Sequence, residues 1–531
     1  MTLWQFAKRS LLFFWRTNLG VFLAAMVATM ILTGSLLVGG SVRHSLNRIV
    51  KARLGRTQLA LVGGNRFFRA ALAEDLADEL NAPVAPVMHL GGLMTDSDDT
   101  KRTGRVQVLG VDKRFYELGP GGNPFGANFN ESVVLNEALA ERLDVKTGDE
   151  VMLRVAMPGL MPRDVPLTPD ADLSIGFRLT VAVVASESQF GRFSLRADQV
   201  SPYNAFVPLD WLAEKIEHAG LANLLLLGRP KKGNISVVRA NEAIAARAQL
   251  DDFALEVRLL GEQGFIEVLS RRVFIDETLT APVSAAGADE MGLLTYFVNE
   301  LRTDANSTPY SFVTAISPGA DDVVAPADFA DDEIVINEWL AEDLNASEGD
   351  PLTLSYYVVG PMRRLTEKQS KFRVRSIVPM VGIAADAQLM PDFPGLADVD
   401  DCRDWKPGVK IDLDRIRDKD QEYWDFYRGV PKAFVTLAAG RRMWANRFGK
   451  LTAVRFAAAG RTTEEISSNI LRAADPASVG LFFQPVRQMA KRSTAKATDV
   501  GSLFLGLSMF LIASAVILLG LVCVFRLRRR R

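Results

Sequence analysis

Two stretches without a single formal charge, one near each end, constrain this chain more than anything else in it. From Leu19 to Val42 there is no acidic or basic side chain. The run Leu19–Val38 alone supplies the ~20 residues that a helix needs to cross ~30 Å of hydrocarbon. It continues through Gly39 and Gly40 into the helix-prone Ser41–Arg53 without a small-residue cleavage site, which reads as a retained anchor and not a removed signal. Val500–Phe525 repeats the pattern, with Asp499 before it and Arg526, Arg528, Arg529, Arg530 and Arg531 after it. Arginine clusters mark the cytoplasmic side, so the second stretch places both termini in the cytoplasm and everything between them outside. Arg43, Arg48, Lys51, Arg53 and Arg56 pull the first stretch the other way, and the second is taken to decide.

Gly20, Ala24 and Ala28 recur every four residues, as do Ser502 and Gly506. Such small faces let membrane helices approach closely, although small residues are also common in such helices generally. Ahead of the first stretch, Leu3, Trp4, Phe6, Leu11, Leu12, Phe13, Phe14 and Trp15 alternate with Lys8, Arg9 and Arg16, which suits a helix lying in the membrane interface.

About 450 residues separate the two stretches, enough for two or more subdomains. Ser132–Glu141, which reads SVVLNEALAE and ends in a turn at Gly148–Asp149, matches Glu333–Glu342, which reads EIVINEWLAE and ends at Gly349–Asp350. Asn136 to Asn337 and Gly148 to Gly349 are both separations of 201 residues. Each copy predicts a short strand, an Asn cap, a helix with an apolar i, i+4 pair (Leu139/Leu143 or Leu340/Leu344), and a Gly-Asp turn. An alternating strand follows, through Val151, Leu153 and Val155 or Leu352, Leu354 and Tyr356. Phe177–Val184 corresponds to Phe372–Val378, and Ala205–Leu209 to Ala433–Leu437. The last pair is more widely separated than the others, which places an insertion at 390–431.

That insertion holds Asp398, Asp400, Asp401, Asp404, Asp412, Asp414, Asp418, Asp420 and Asp425 beside Trp405, Tyr423, Trp424 and Tyr427. Without EF-hand spacing it reads as a solvated excursion pinned by its aromatics, the alternative being a loop for a partner or a cation. Leu46, Ile49, Val50 and Leu54 give Ser45–Leu54 an apolar stripe suited to pairing with a second stalk, for which Val486–Ala497 is the candidate; a plain linker helix is the other reading.

No catalytic, cofactor or metal residues are assigned from the sequence. No GxxxxGK[ST] occurs, and Gly449-Lys450 is followed by Leu451, so the chain has no nucleotide-binding loop of that type. His44, His89 and His218 lie in no zinc motif, and no GxSxG elbow is present. With 62 basic and 63 acidic residues, nothing points to nucleic acid. Cys402 and Cys523 lie in a polar and an apolar stretch and are not expected to pair.

Gly501–Ile512, which follows Thr498-Asp499, resembles the opening of the membrane domain of FtsX-like, MacB-type ABC transporter permeases. The two NE-x-LA…GD blocks, with strands such as Phe177–Val181 after them, resemble the extracytoplasmic domain of the same family. The resemblance implies a permease subunit in the cell inner membrane. It implies a cytoplasmic ATPase as partner, pairing as a homodimer or heterodimer, and no hydrolytic activity in this chain. In that family the membrane domain continues with further helices and a coupling helix, so the expectation is either part of a longer permease or a short form working with a second polypeptide. A bitopic sensor or envelope scaffold without transport is the alternative, and a membrane-tethered hydrolase a more distant one.

The expected organisation is an α+β extracytoplasmic domain with a duplicated β-α-β unit, flanked by two transmembrane α-helices. In detail it comprises an interfacial segment (1–17), a first span (18–42), a stalk (43–56), repeat one (57–270), repeat two (271–485) with the insertion 390–431, a second stalk (486–498), a second span (499–526) and a basic cytoplasmic end (527–531).

Overall fold

The structure, a computed structural model, describes residues 3–121, 123, 131–158, 174–196, 200–261, 263–359, 365–393, 395–397, 399–406, 409, 411–497, 506, 509–510, 513–514, 516–517, 520–521 and 524. In chain order its strands begin β1 (Thr57–Val62), β2 (Phe68–Arg69), β3 (Val84–Asp96), β4 (Arg102–Val111), β5 (Ser132–Asn136), β6 (Glu150–Ala156), β7 (Ser174–Ala185), β8 (Tyr203–Pro208), β9 (Leu221–Ala222) and β10 (Leu224–Gly228). They continue with β11 (Leu255–Leu260), β12 (Phe265–Ser270), β13 (Glu290–Arg302), β14 (Ser307–Ile316), β15 (Glu333–Asn337), β16 (Pro351–Val359), β17 (Leu365–Val378), β18 (Ala433–Thr436), β19 (Ala453–Ala457) and β20 (Phe483–Gln484).

Two nine-stranded sheets share one plan. The first runs β20-β1-β10-β3-β4-β8-β5-β7-β6 and the second β11-β12-β19-β13-β14-β18-β15-β17-β16, with the extra pairings β3–β6 and β13–β16 at matching places. The parallel pairs match as well: β4 with β8 and β5 with β7 in one sheet, β14 with β18 and β15 with β17 in the other. The mixed α/β fold is therefore duplicated over the whole sheet, well beyond the short repeat visible in the sequence.

The repeated motif explains itself locally. Asn136 accepts a hydrogen bond from Leu139 N (3.1 Å) and caps Glu137–Leu143; Asn337 does the same for Leu340 N (2.9 Å) and caps Glu338–Leu344. Gly148 and Gly349 turn the chain at φ +97° and +91°, a region open to glycine at no steric cost. Asp149 and Asp350 then accept from Lys146 N and Ser347 N, closing the same turn twice. On one face of the first sheet Leu59, Leu61 and Leu225 pack with Leu72, Leu76 and Ile244 from helices Leu72–Leu80 and Val237–Arg247. Ile266, Val268 and Val454 of the second sheet meet Leu279 and Ile466 from Glu277–Ser284 and Thr463–Ala473. The opposite face of the first sheet carries an aromatic cluster in which Phe115 lies 4.8 Å from Phe190 and 5.1 Å from Phe193.

The boundary expected at 270 is corrected. β11 and β12 (255–270) belong to the second sheet, and β20, expected in repeat two, completes the first. Each unit thus sends its chain across. Helix Val237–Arg247, packed in the first unit, leads to the edge of the second sheet, and Thr463–Ala473, packed in the second, leads to the edge of the first. Charged contacts seam the crossing: Arg69 holds the buried Asp252 at 2.8 Å, and Arg66 holds Asp276 while donating to Phe253 O at 3.3 Å.

The insertion is pinned by its aromatic residues. Trp405 meets Trp424 at 5.1 Å and Phe297 at 5.7 Å, and its helix Asp418–Tyr427 lays Tyr423 4.8 Å from Trp339. Its carboxylates serve as counter-ions: Asp420 to Arg417, Asp418 to Arg403 and Asp400 to Arg428. Asp398 lies outside the described residues. Among the described residues no three His, Cys, Asp or Glu side chains gather as metal ligands.

Helix Leu3–Phe13 ends at Phe14, and a second helix then runs unbroken for 40 residues, Trp15–Leu54, through the first uncharged stretch. Among the described residues no helix is long and apolar enough to cross a membrane. The side chains of Ala24, Ala28 and Leu46 lie outside that set, as do Ser502, Cys523 and most of the second expected span, 499–526.

Candidate functional site at the leg junction

Helix Trp15–Leu54, the entry helix, and helix Val486–Ala497, the exit helix, end on two neighbouring strands. The entry helix has neither proline nor charge from Leu19 to Val42, and nothing interrupts its backbone ladder before Gly55. Gly55 N donates to Lys51 O at 2.9 Å, and at φ +50° the residue turns the chain into β1. Glycine is required there, because a Cβ would overlap the Leu118 carbonyl oxygen. Arg56 N donates to that same oxygen at 2.7 Å, and Arg229 N to Arg56 O at 3.1 Å, so the turn is stitched to the first unit.

β1 pairs antiparallel with β20, Ala60 opposite Gln484 and Leu61 opposite Phe483. Pro485 separates β20 from the exit helix, whose first turn carries Arg487. The guanidinium donates from Nε to Thr57 O at 2.8 Å and from Nη2 to Gly55 O, gripping the backbone where the entry helix becomes β1. Burial, and the nearby Arg229 cation, lower the Arg487 pKa from its ordinary value. Val50 and Leu54 meet Ala490 in a small buried cluster, with Leu195 against it, and Arg53 is also buried. The apolar stripe thus packs on the stalk that the sequence nominates, with Ile49 half-buried beside it.

The sequence shows the stripe but not the grip. Arg487 is one of many basic residues, and β20 is two residues long with no periodicity to find. The strand exchange ties both units to this junction. The exit helix is bonded covalently to the second unit through Thr463–Ala473, yet anchored by hydrogen bonds on the first sheet.

The histidines are placed apart. His44 lies exposed on the entry helix and His89 half-buried in β3. His218 is buried edge-on to Phe67, its Nδ1 2.7 Å from Ile216 O. Burial lowers the pKa of both His89 and His218. Cys402 is buried in the insertion, which pushes its thiol up to about 12. Lys432 is enclosed between Trp339 (4.1 Å) and Tyr423 (4.6 Å), with Asp420 at 3.8 Å. Cys402, Asp420, Tyr423 and Lys432 line one small cavity of about 20 Å³ beneath the insertion, and none of the three histidines lines it.

No family model matches the chain, and no curated protein matches it in sequence. Among solved structures it is similar in part to the periplasmic region of MacB from Actinobacillus actinomycetemcomitans, at 13% identity and a TM-score of 0.25, over 36% of this chain and 85% of that one. It is also similar in part to the extracellular domain of the noncanonic ABC-type transporter YknZ from Gram-positive bacteria, at 10% identity and a TM-score of 0.22, over 37% of this chain and 90% of that one.

Proposed function

We propose that this chain is the membrane component of an ABC-type permease, in which an outward-facing two-unit domain is worked through paired helical legs. The observation that carries the reading is the junction: entry and exit helices pack at Val50, Leu54 and Ala490 and end on the paired strands β1 and β20. In this reading the uncharged run Leu19–Val42 of the entry helix is the segment that lies in the bilayer. Leu19, Phe22, Leu23, Met26, Val27, Met30 and Leu37 stand exposed along it, and apolar side chains uncovered by protein have lipid as their natural solvent. The second span, 499–526, returns the chain to the cytoplasm. The sequence resemblance to FtsX-like permeases supports the same assignment.

In this reading the chain does not hydrolyse ATP. A separate cytoplasmic ATPase binds from the inner face of the cell membrane, and a second permease subunit, identical or not, completes the complex. Helices are stiff along their axes, so a movement of the spans reaches Gly55 and Arg487 and is delivered to both sheets. The output is outward transport or mechanical action on an envelope partner.

The test is purification of the full-length chain from membranes with whatever it holds. The reading expects a stoichiometric ATPase subunit whose turnover changes at least ~twofold when Val50→Cys and Ala490→Cys lock the legs together. A chain that comes out alone, and keeps its cellular role when every candidate ATPase is deleted, replaces this reading with a sensor or scaffold.

A further inference from the structure

The two sheets end differently at equivalent edges. In the first, the edge strand β20 has two residues and is followed by Pro485, so little of its backbone is open to another chain. In the second, the same place is taken by β11, six residues that pair with β12 at every position from Leu255↔Ser270 to Leu260↔Phe265. β11 contains no proline, lysine or bulge; its charges are Glu256 and Arg258, and Leu259 on it is 59% exposed.

A ladder of charges runs toward that edge. Asp386 meets Arg455 at 2.6 Å, Arg455 meets Glu267 at 2.7 Å, and Glu267 meets Arg258 at 2.6 Å. Arg455, Glu267 and Arg258 sit directly opposite one another on β19, β12 and β11. Arg455 and Glu267 are fully buried, whereas Arg258 on the edge strand is 37% exposed. The signs alternate outward, minus, plus, minus, plus, and the next strand in the series would set a carboxylate opposite Arg258. Glu256 lies two residues away on the same face, 3.8 Å from Arg271, and Glu256, Arg258 and Arg271 line a pocket of about 320 Å³ that also includes Gln388 and Asp392.

We propose that the next strand is β11 of a second copy of this chain. Antiparallel pairing centred on Val257 sets Glu256 of the partner subunit opposite Arg258 and, by the two-fold, Arg258 of the partner subunit opposite Glu256. A self-complementary patch is what an isologous contact requires. On the other face Leu259 of each copy is set beside the already buried Leu255 of the other, which covers the exposed leucine. Six residues of strand pairing bury less than a standard interface, so the contact is reversible and is read by trapping. The inference rests on the second sheet alone, and its failure would leave the membrane reading untouched.

The experiment uses the full-length chain in detergent, with Cys523→Ser and the buried Cys402 kept. Val257→Cys, mildly oxidised, is expected to give a disulfide-linked homodimer, while Val238→Cys, exposed on a helix of the first unit, gives none. Glu256→Arg and Leu259→Lys, each added to Val257→Cys, are expected to lower the yield about fivefold. Leu259→Lys changes an exposed side chain, so its thermal transition should match that of the parent and separate lost contact from lost fold. Trapping no greater at 257 than at 238, trapping indifferent to both substitutions, or capture of a different polypeptide at 257 would overturn the proposal.

Discussion

Arg487 donates from Nε to the carbonyl oxygen of Thr57 across 2.8 Å, so the first turn of the exit helix is fastened to the first residue of β1. Replacing it with Met keeps the bulk and removes the donors, leaving two partly buried carbonyls without this partner. That should cost about 1–3 kcal/mol. Amide exchange in 486–493 and 57–61 should speed up together, while exchange in the second sheet is unchanged. Arg487→Lys should recover only part of the loss, because an ammonium lacks the planar fork that spans two carbonyls.

Gly55 and Gly64 both have positive φ, +50° and +62°, but only Gly55 faces a carbonyl where its Cβ would stand. Gly64→Ala should cost about 1 kcal/mol of backbone strain, and Gly55→Ala about 2 kcal/mol or more because the Leu118 segment must also shift. Chemical denaturation of the two variants side by side checks the difference.

The duplication can be weighed. Asn136 accepts from Leu139 N and Asn204 N and donates to Pro202 O; Asn337 accepts from Leu340 N and donates to the Tyr423 hydroxyl and Pro431 O. Either Asn→Ala change should destabilise its own unit by about 1–2 kcal/mol. Losses that differ by more than about 1 kcal/mol would show that the two caps no longer do the same job.

These caps were legible because they are local: an Asn three residues before a buried leucine states its own structure. The Gly-Asp turns and the Val50/Leu54 stripe were legible for the same reason. The strand exchange was not. Leu61 finds Phe483 across most of the chain, and two residues of β20 carry no alternation to read. Nor was the ladder of Arg258, Glu267 and Arg455, since charges alternating with apolar residues along a strand predict a wet face, and here the segment containing Asp386 covers it.

Lys432 gives a pH dependence with a definite sign. Burial pulls its ammonium down to about 8 from 10.5, with Asp420 opposing. Below pH 8 the group is protonated both folded and unfolded, so stability does not change with pH on its account. Between about pH 8 and 10.5 the unfolded chain binds more protons than the folded one, so this group makes stability rise with pH, by about 3 kcal/mol over the window. The stability gap between the parent and Lys432→Met should shift by that order from pH 7.5 to 10, with the parent gaining; a flat gap would mean that the ammonium is solvated.

The membrane reading is tested most directly by topology. A reporter inserted at Ala305, in the turn between β13 and β14, sits far in sequence from both uncharged stretches. The account predicts that alkaline phosphatase at that position is active and that green fluorescent protein exported there through the general secretory route is dark. Dark phosphatase with bright fluorescence would place both sheets in the cytosol and contradict it.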